Sequence, residues 1–444
     1  MLATRDGGFH ETAGTLGTVI AEGLRRLADL PTWQNGASPP EGVEPPGAAG
    51  NGALRCGAAS NPAGIVARKA RAFPDDQSDG GEIGMSSRRD FLGAAGALFC
   101  GCGLLRSAHA QAPRPQRQAV AVGGRRVRTI DVHAHCIFPE AAALQGMTRE
   151  QIHAGPPGAR ETIIESAEER FAAMDRQKVD VEVLSVNPHW YGAPRDVAAQ
   201  VVKKTNESMA ELCARHPDRF AGFAGLTMQD PQLAAQEMEM AVRRQGLKGI
   251  AVGAEAGPKE LSDRSFDIVW KKAEELGAVV FVHPQGVPQL NRRLAGNGYL
   301  TNVIGNPLAT TIALAHMIFE GVFDRAPGLK VIAAHGGGFL AHYADRFDHG
   351  CRLNGAACDS SIALQKKPTE YLKQIWFDSL VFTPEAVRHL QAVAGPNQIV
   401  MGSDWPYPWV PDPVDHIMAS DSLNDEQKRG VLGETAAKLL NIPT

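Results

Sequence analysis

The chain of 444 residues carries only seven cysteines, and no two of them stand in a C-x-x-C spacing. Cys56, Cys100, Cys102, Cys136, Cys213, Cys351 and Cys358 are too few for a disulfide-built scaffold, and Cys100-Gly101-Cys102 is too tight for a cysteine zinc site. An excess of either charge is missing too: 45 Lys and Arg stand against 49 Asp and Glu, a formal net charge of -4. That balance points to no nucleic acid and to no charged macromolecular partner, which leaves a small molecule. No G-x-S-x-G occurs, so serine hydrolase chemistry has no foothold. No Lys-Ser/Thr follows Gly336-Gly337-Gly338, so that run reads as close backbone approach and not as a phosphate cradle. What remains is ordinary globular material, 43% hydrophobic and 21% charged, enough for one large core or two moderate ones.

The N-terminal quarter stands apart. Residues from about Asn35 to Gly84 are dense in Gly, Pro, Ala and Asn and show no period of 2 or 3.6, so residues 1–84 are expected to be disordered or a mis-assigned extension. Met85 then opens Ser86-Ser87-Arg88-Arg89-Asp90-Phe91-Leu92, an apolar stretch runs to Leu105, and Ala108-His109-Ala110 supplies small residues for cleavage. Residues 85–110 read as a twin-arginine signal peptide, which implies a folded, periplasmic protein. The stretch is too short and glycine-rich for a stable membrane span, and no other apolar run approaches one. Residues 111–127 read as a linker.

From residue 128 to 444, short β-branched runs alternate with helical patterns. Eight runs can be counted: 128–135, 179–186, 220–226, 249–253, 278–284, 330–335, 375–381 and 399–405. Eight β/α units predict an α/β fold of the (β/α)8 TIM-barrel type, and about 320 residues suit one such barrel. The candidate metal residues gather at strand ends. His133 and His135 close the first strand, His283 the fifth, His335 the sixth and Asp404 the eighth. In such a barrel these ends share one mouth, so five metal-type side chains converge there. His133 and His135, two apart on a strand, face the same way, with Asp131 on that face as well. Imidazole plus carboxylate suits zinc, manganese or iron at an open catalytic site, with one divalent ion expected, zinc first and manganese as the alternative. His189 and Trp190, after the second strand, are candidates for the pocket wall. No lysine ends the fourth strand to bridge a second ion, since Lys248 stands at its beginning.

These motifs resemble a known family. Ile130-Asp131-Val132-His133-Ala134-His135, Phe281-Val282-His283-Pro284, Ala334-His335-Gly336-Gly337-Gly338 and Gly402-Ser403-Asp404-Trp405-Pro406 look like the amidohydrolase-related family of aminocarboxymuconate-semialdehyde decarboxylase. Arg219-Phe220-Ala221-Gly222 and Asp345-Arg346-Phe347 extend the likeness toward the C-terminus. The resemblance implies a single ion held by His133, His135, His283 and Asp404, and His335 as the acid/base that activates metal-bound water. It also implies that Arg346 grips a substrate carboxylate, that Arg160 lies near the place of a second arginine, and that the chain forms a homodimer. Gln285 departs from the family's tryptophan and alters the pocket wall. The implied activity is decarboxylation of a small carboxylated aromatic or muconate-type acid. The alternatives are metal-dependent hydrolysis of a lactone, ester or amide at the same site, or metal binding without turnover.

Overall fold

A computed structural model describes residues 117–164 and 166–444; the extension, the twin-arginine segment and the first part of the linker lie outside the described residues. The rest of the linker is folded. Val120–Val122 and Arg125–Val127 pair antiparallel, and Val120, Val122 and Val127 are buried, so the folded region begins ahead of the boundary at 128. Buried Val120, Val122 and Val127 alternate with exposed Ala121 and Arg126, which lets the short hairpin bury one face.

All eight sequence-predicted strands form: β1 (Ile130–His135), β2 (Val181–Ser185), β3 (Phe220–Gly222), β4 (Gly249–Gly253), β5 (Val279–His283), β6 (Lys330–Ala333), β7 (Ile375–Asp378) and β8 (Ile399–Val400). β1, β2 and β3 pair in parallel, and so do β4 to β8 in chain order. Two irregular junctions join the sheets into a ring. Ala224 bridges to Ile250 between β3 and β4, and Ala134 to Trp405 between β1 and the segment after β8. Backbone bonds His135 N–H to Trp405 O (2.7 Å) and Asp404 N–H to His133 O (2.9 Å) hold that second seam.

Strand periodicity divides the core. On β5, Val279 and Phe281 enter the barrel interior with Ile130, Val132, Val183 and Ile332, while Val280 and Val282 face the surrounding helices. Ala436, Ala437 and Leu440 of the C-terminal helix plug the interior from the opposite end to the histidines. Helices return between strands with ordinary signals: Asp267–Leu276 ends on Gly277 in a left-handed cap (φ 62°), as its spacing predicts. One helical run, Leu300–Phe319, does reach the length and composition of a membrane span, contrary to expectation. Its Ala313, Leu314, Met317 and Ile318 are buried in the layer around the barrel, which accounts for the apolar composition.

Candidate metal centre

The register of β1 against β2 shifts between Asp131 and Ala134. Ile130 and Val132 fill the interior below that irregularity, and His133 and His135 project into it above. The bulge thus converts an apolar floor into a ligand pair within one strand. Asp131 does not join them. Its carboxylate accepts from His133 N–H (2.9 Å), Ser403 N–H (3.1 Å) and the Ser403 hydroxyl, tying β1 to the segment after β8. Burial pushes its pKa up to about 7, against the lowering influence of Ser403.

His133, His135, His283 and Asp404 form one buried group whose ligating atoms all lie within 4.8 Å of one another. His133 Nε2 and His135 Nε2 are 3.1 Å apart, and Asp404 Oδ1 stands 3.2 Å and 2.8 Å from them. Metal–ligand bonds of about 2.0–2.2 Å place neighbouring donors about 3–4 Å apart, so one ion fits. A second observation agrees: both ring nitrogens of the buried His283 lack any protein partner. An imidazole so placed is costly unless something is ligated to it.

The electrostatics divide the ligands. Burial, reinforced by His135 and His133, holds His283 well below the ordinary histidine range, and burial likewise lowers His135. Both are therefore neutral donors. For His133, burial disfavours the charged ring, but Asp404 and Asp378 more than offset that and raise its pKa to about 10. Asp404 stays ionised, because the surrounding imidazoles outweigh its own burial.

Sequence reasoning missed Asp378, the last residue of β7. It accepts from His133 Nδ1 (2.6 Å) and from the backbone N–H groups of His335 (2.9 Å) and Gly336 (2.7 Å). One buried carboxylate therefore fixes the tautomer of a ligand and the turn that carries His335. A signal existed, since Asp378 closes a strand otherwise made of Ile375, Trp376 and Phe377. Gly402 permits the crowding: a Cβ there would lie 2.9 Å from the Cβ atoms of both Asp378 and His133.

His335 stands beside the four ligands, its Nε2 3.6 Å from Asp404 Oδ2 and its buried Nδ1 without a protein partner. Its backbone is left-handed (φ 56°), a conformation unusual outside glycine and held here by the bonds to Asp378. The glycines after it do allow close approach: a Cβ on Gly338 would fall 2.0 Å from Pro307 O.

A recess of about 640 Å³ opens over His283 and Asp404, walled by Asn187, Gln285, Asn306, Tyr299, Tyr407 and Trp409 among others. Gln285 is where the sequence places it. Four other expectations need correction. Trp190 is wholly buried, donates Nε1–H to Leu226 O (2.9 Å) and packs on Gly225, so it is core and not pocket wall. His189 turns aside to Gln145 (Nδ1 to Oε1 2.5 Å), burial pushing its pKa down to about 4. Arg160 is exposed on a short 3-10 turn, outside the recess although Pro156 and Pro157 border it. Arg346, on Ala344–Phe347, is exposed and faces a different recess with His342, Thr369 and His389. The glycine turn after His335 redirects the chain, so eleven residues of separation do not return the guanidinium to its own chain's site. No Lys or Arg lines the recess over the ligands among the described residues.

Comparison with known proteins agrees with this geometry. A family model described as amidohydrolase matches residues 130–442. The 2-amino-3-carboxymuconate-6-semialdehyde decarboxylase of Dictyostelium discoideum is 32% identical over 279 residues, 62% of this chain and 76% of that protein. The solved structure of 5-carboxyvanillate decarboxylase from Sphingomonas paucimobilis is 25% identical and superposes with a TM-score of 0.64, covering 71% of this chain and 100% of that one. A 5-carboxyvanillate decarboxylase from Novosphingobium aromaticivorans, solved with manganese, has the same fold (TM-score 0.64, 23% identity, 71% of this chain and 96% of that one).

Proposed function

The chain belongs to the amidohydrolase family, and on that premise we propose that it is a metal-dependent decarboxylase of a small carboxylated aromatic or muconate-type acid. The observation that carries the reading is the separation of roles at the barrel mouth. Four side chains converge on one point, and a fifth, His335, stands beside them with a ring nitrogen free of protein partners. His133, His135, His283 and Asp404 would hold the ion, zinc or manganese, since three imidazoles and a carboxylate accept either. When bound it supplies a Lewis acid that holds and neutralises the oxygen atoms of the substrate.

The remaining chemistry falls to the chain. The recess over His283 and Asp404 would admit the acid, its carboxylated carbon turned toward His335, whose Nε2 stands 3.6 Å from Asp404 Oδ2. His335 donates a proton to that carbon, the bond to the carboxylate breaks, its electron pair returns to the aromatic ring or the conjugated chain, and carbon dioxide leaves. His335 then regains a proton from solvent. Asp378 keeps the His335 backbone in place through the cycle.

A homodimer is part of the proposal, since among the described residues one chain brings no guanidinium to its own recess. Export by the twin-arginine route is another part, supported by Arg88-Arg89 ahead of the apolar stretch. The disulfide between Cys351 and Cys358 suits an oxidising compartment. The test is metal content together with carbon dioxide release from a panel of carboxylated phenols and muconates, using protein begun at Gln111, with His335→Ala as control. Release that His335→Ala abolishes supports the decarboxylase. One bound ion with no release from any acid, but turnover of a lactone or ester, replaces it with a hydrolase.

A further inference from the structure

We infer that Arg170 is a positioning residue for the ligand set, a clamp across the seam where the barrel closes. The inference rests on the reading that the four side chains hold an ion.

The seam is one of the two irregular junctions of the ring. β8 contributes only Ile399 and Val400 to a ladder, and beyond them the chain meets β1 through single bonds, such as His135 N–H to Trp405 O. Asp404, within this stretch, has a left-handed backbone (φ 65°). Three of the four ligands, His133, His135 and Asp404, lie on its two sides, so a small shift across the seam displaces all three donors.

Arg170 spans it. It lies on the helix Ala167–Arg176 with only 3% of its surface exposed. Nη1 donates to the carbonyl of His135 (2.9 Å), and the guanidinium sits over the ring of Trp405, 4.4 Å from its centroid. One planar group therefore grips the ligand strand through its backbone and the other side through the residue after Asp404. Nε donates to Glu182 of β2, which fixes the plane. A buried ion pair is weak support for stability as such, since desolvation consumes much of its attraction. Nη2 of Arg170 and Oε1 of Glu182 are also buried with no partner, which makes the pair costlier still. What the pair supplies is geometry: a rigid fork that a lysine could not reproduce on three partners at once.

Two roles are separable by experiment. If Arg170 only neutralises Glu182, removing both charges restores the site; if it positions the seam, the site stays impaired. The mature protein is therefore prepared as parent, Arg170→Met, Glu182→Gln and the double variant Arg170→Met/Glu182→Gln. Manganese and zinc affinities are measured by chelator competition, with folding checked by circular dichroism. The expected result is about a 10- to 100-fold loss of affinity in Arg170→Met, as for groups that orient ligands. The same loss is expected in the double variant, while Glu182→Gln keeps affinity within about threefold, a change too small for a lost orienting group. At saturating manganese, the paramagnetic resonance spectrum of the bound ion should broaden in both Arg170 variants and not in Glu182→Gln. Parent affinity in the double variant, or in a folded Arg170→Met, overturns the inference. If Arg170→Met fails to fold, the double variant, which leaves no unpaired charge, decides. A parent protein that takes up no ion overturns the underlying reading instead.

Discussion

At the floor of the recess each ligand leaves a strand end or the segment next to one, and its neighbours are buried: Asp378 holds His133, Asp131 and Ser403 lock the strands behind it, and Arg170 lies across the seam. At the rim, Gln285, Tyr299 and Trp409 come from loops, Gln285 is exposed, and Tyr299 shows 51% of its surface. The difference separates two tasks. A ligand set tolerates little displacement and is built on the barrel, whereas substrate choice is carried by loops that change without disturbing it. Changes at the floor should therefore alter ion binding, and changes at the rim should alter substrate affinity alone.

The largest effect should follow loss of a ligand. Asp404→Ala removes the carboxylate that stands 2.8 Å and 3.2 Å from the two imidazoles of β1. Ion affinity should fall by well over the roughly 100-fold seen when a group merely orients a ligand, and carbon dioxide release should vanish with it. Plasma emission spectrometry of the purified variant checks this; a full equivalent of ion retained through gel filtration would contradict the assignment. Asp378→Asn comes next, about 10- to 100-fold in ion affinity. The amide keeps one acceptor oxygen, but at least one of His133 Nδ1 and the two backbone N–H groups loses its partner. Chelator competition gives the number, and affinity equal to the parent's would show that the floor needs no such brace.

The same contrast explains what could be read from sequence. Strand ends are legible because hydrophobic runs mark the strands and the fold assigns their C-terminal ends to one mouth, so His133, His135, His283, His335 and Asp404 fell into place from spacing alone. Asp378 obeyed the same rule, but a lone aspartate after an aromatic run has many ordinary explanations. The rim was harder. Whether Trp190 faces the recess or the core depends on how the chain turns after β2, and Gly225 opens a slot for its ring on the core side. Arg346 depended on the direction in which three consecutive glycines release the chain, which no periodicity encodes. The hairpin at 120–127 was too short to show a period.

Proton competition should produce a graded effect at the floor. In the ion-free protein Asp404 and Asp378 outweigh the burial of His133 and raise its pKa to about 10, whereas the ion requires the neutral ring. Affinity should rise about tenfold per pH unit from near pH 7 toward 10 and then level off. The ion-free fold should respond in the opposite sense. A histidine whose folded pKa is raised contributes stability that is full below its unfolded value of about 6.5 and is lost as pH rises through 10. Calorimetry in two buffers of different ionisation heat should show close to one proton released per ion bound at pH 7.5. Binding without proton release would mean that His133 is neutral beforehand.

The smallest effect is expected at the rim, where the comparison is most easily broken. Tyr299 and Trp409 reach over the recess from different loops, their rings nearly parallel (6°) with centroids 6.4 Å apart. An aromatic contact contributes about 0.5–1.5 kcal/mol beyond its area, equivalent to about 2- to 13-fold in affinity. Trp409→Ala should therefore raise KM for an aromatic acid by that order, leave kcat within about twofold and leave the manganese affinity unchanged. The reason lies in attachment: Trp409 touches the substrate space from a loop, while Asp404, five residues earlier, is tied to His133 through its backbone. Steady-state kinetics and chelator competition on the same preparation separate the two. A fall in ion affinity in Trp409→Ala would show that the loop after β8 transmits to the ligands, and that floor and rim are one mechanical unit.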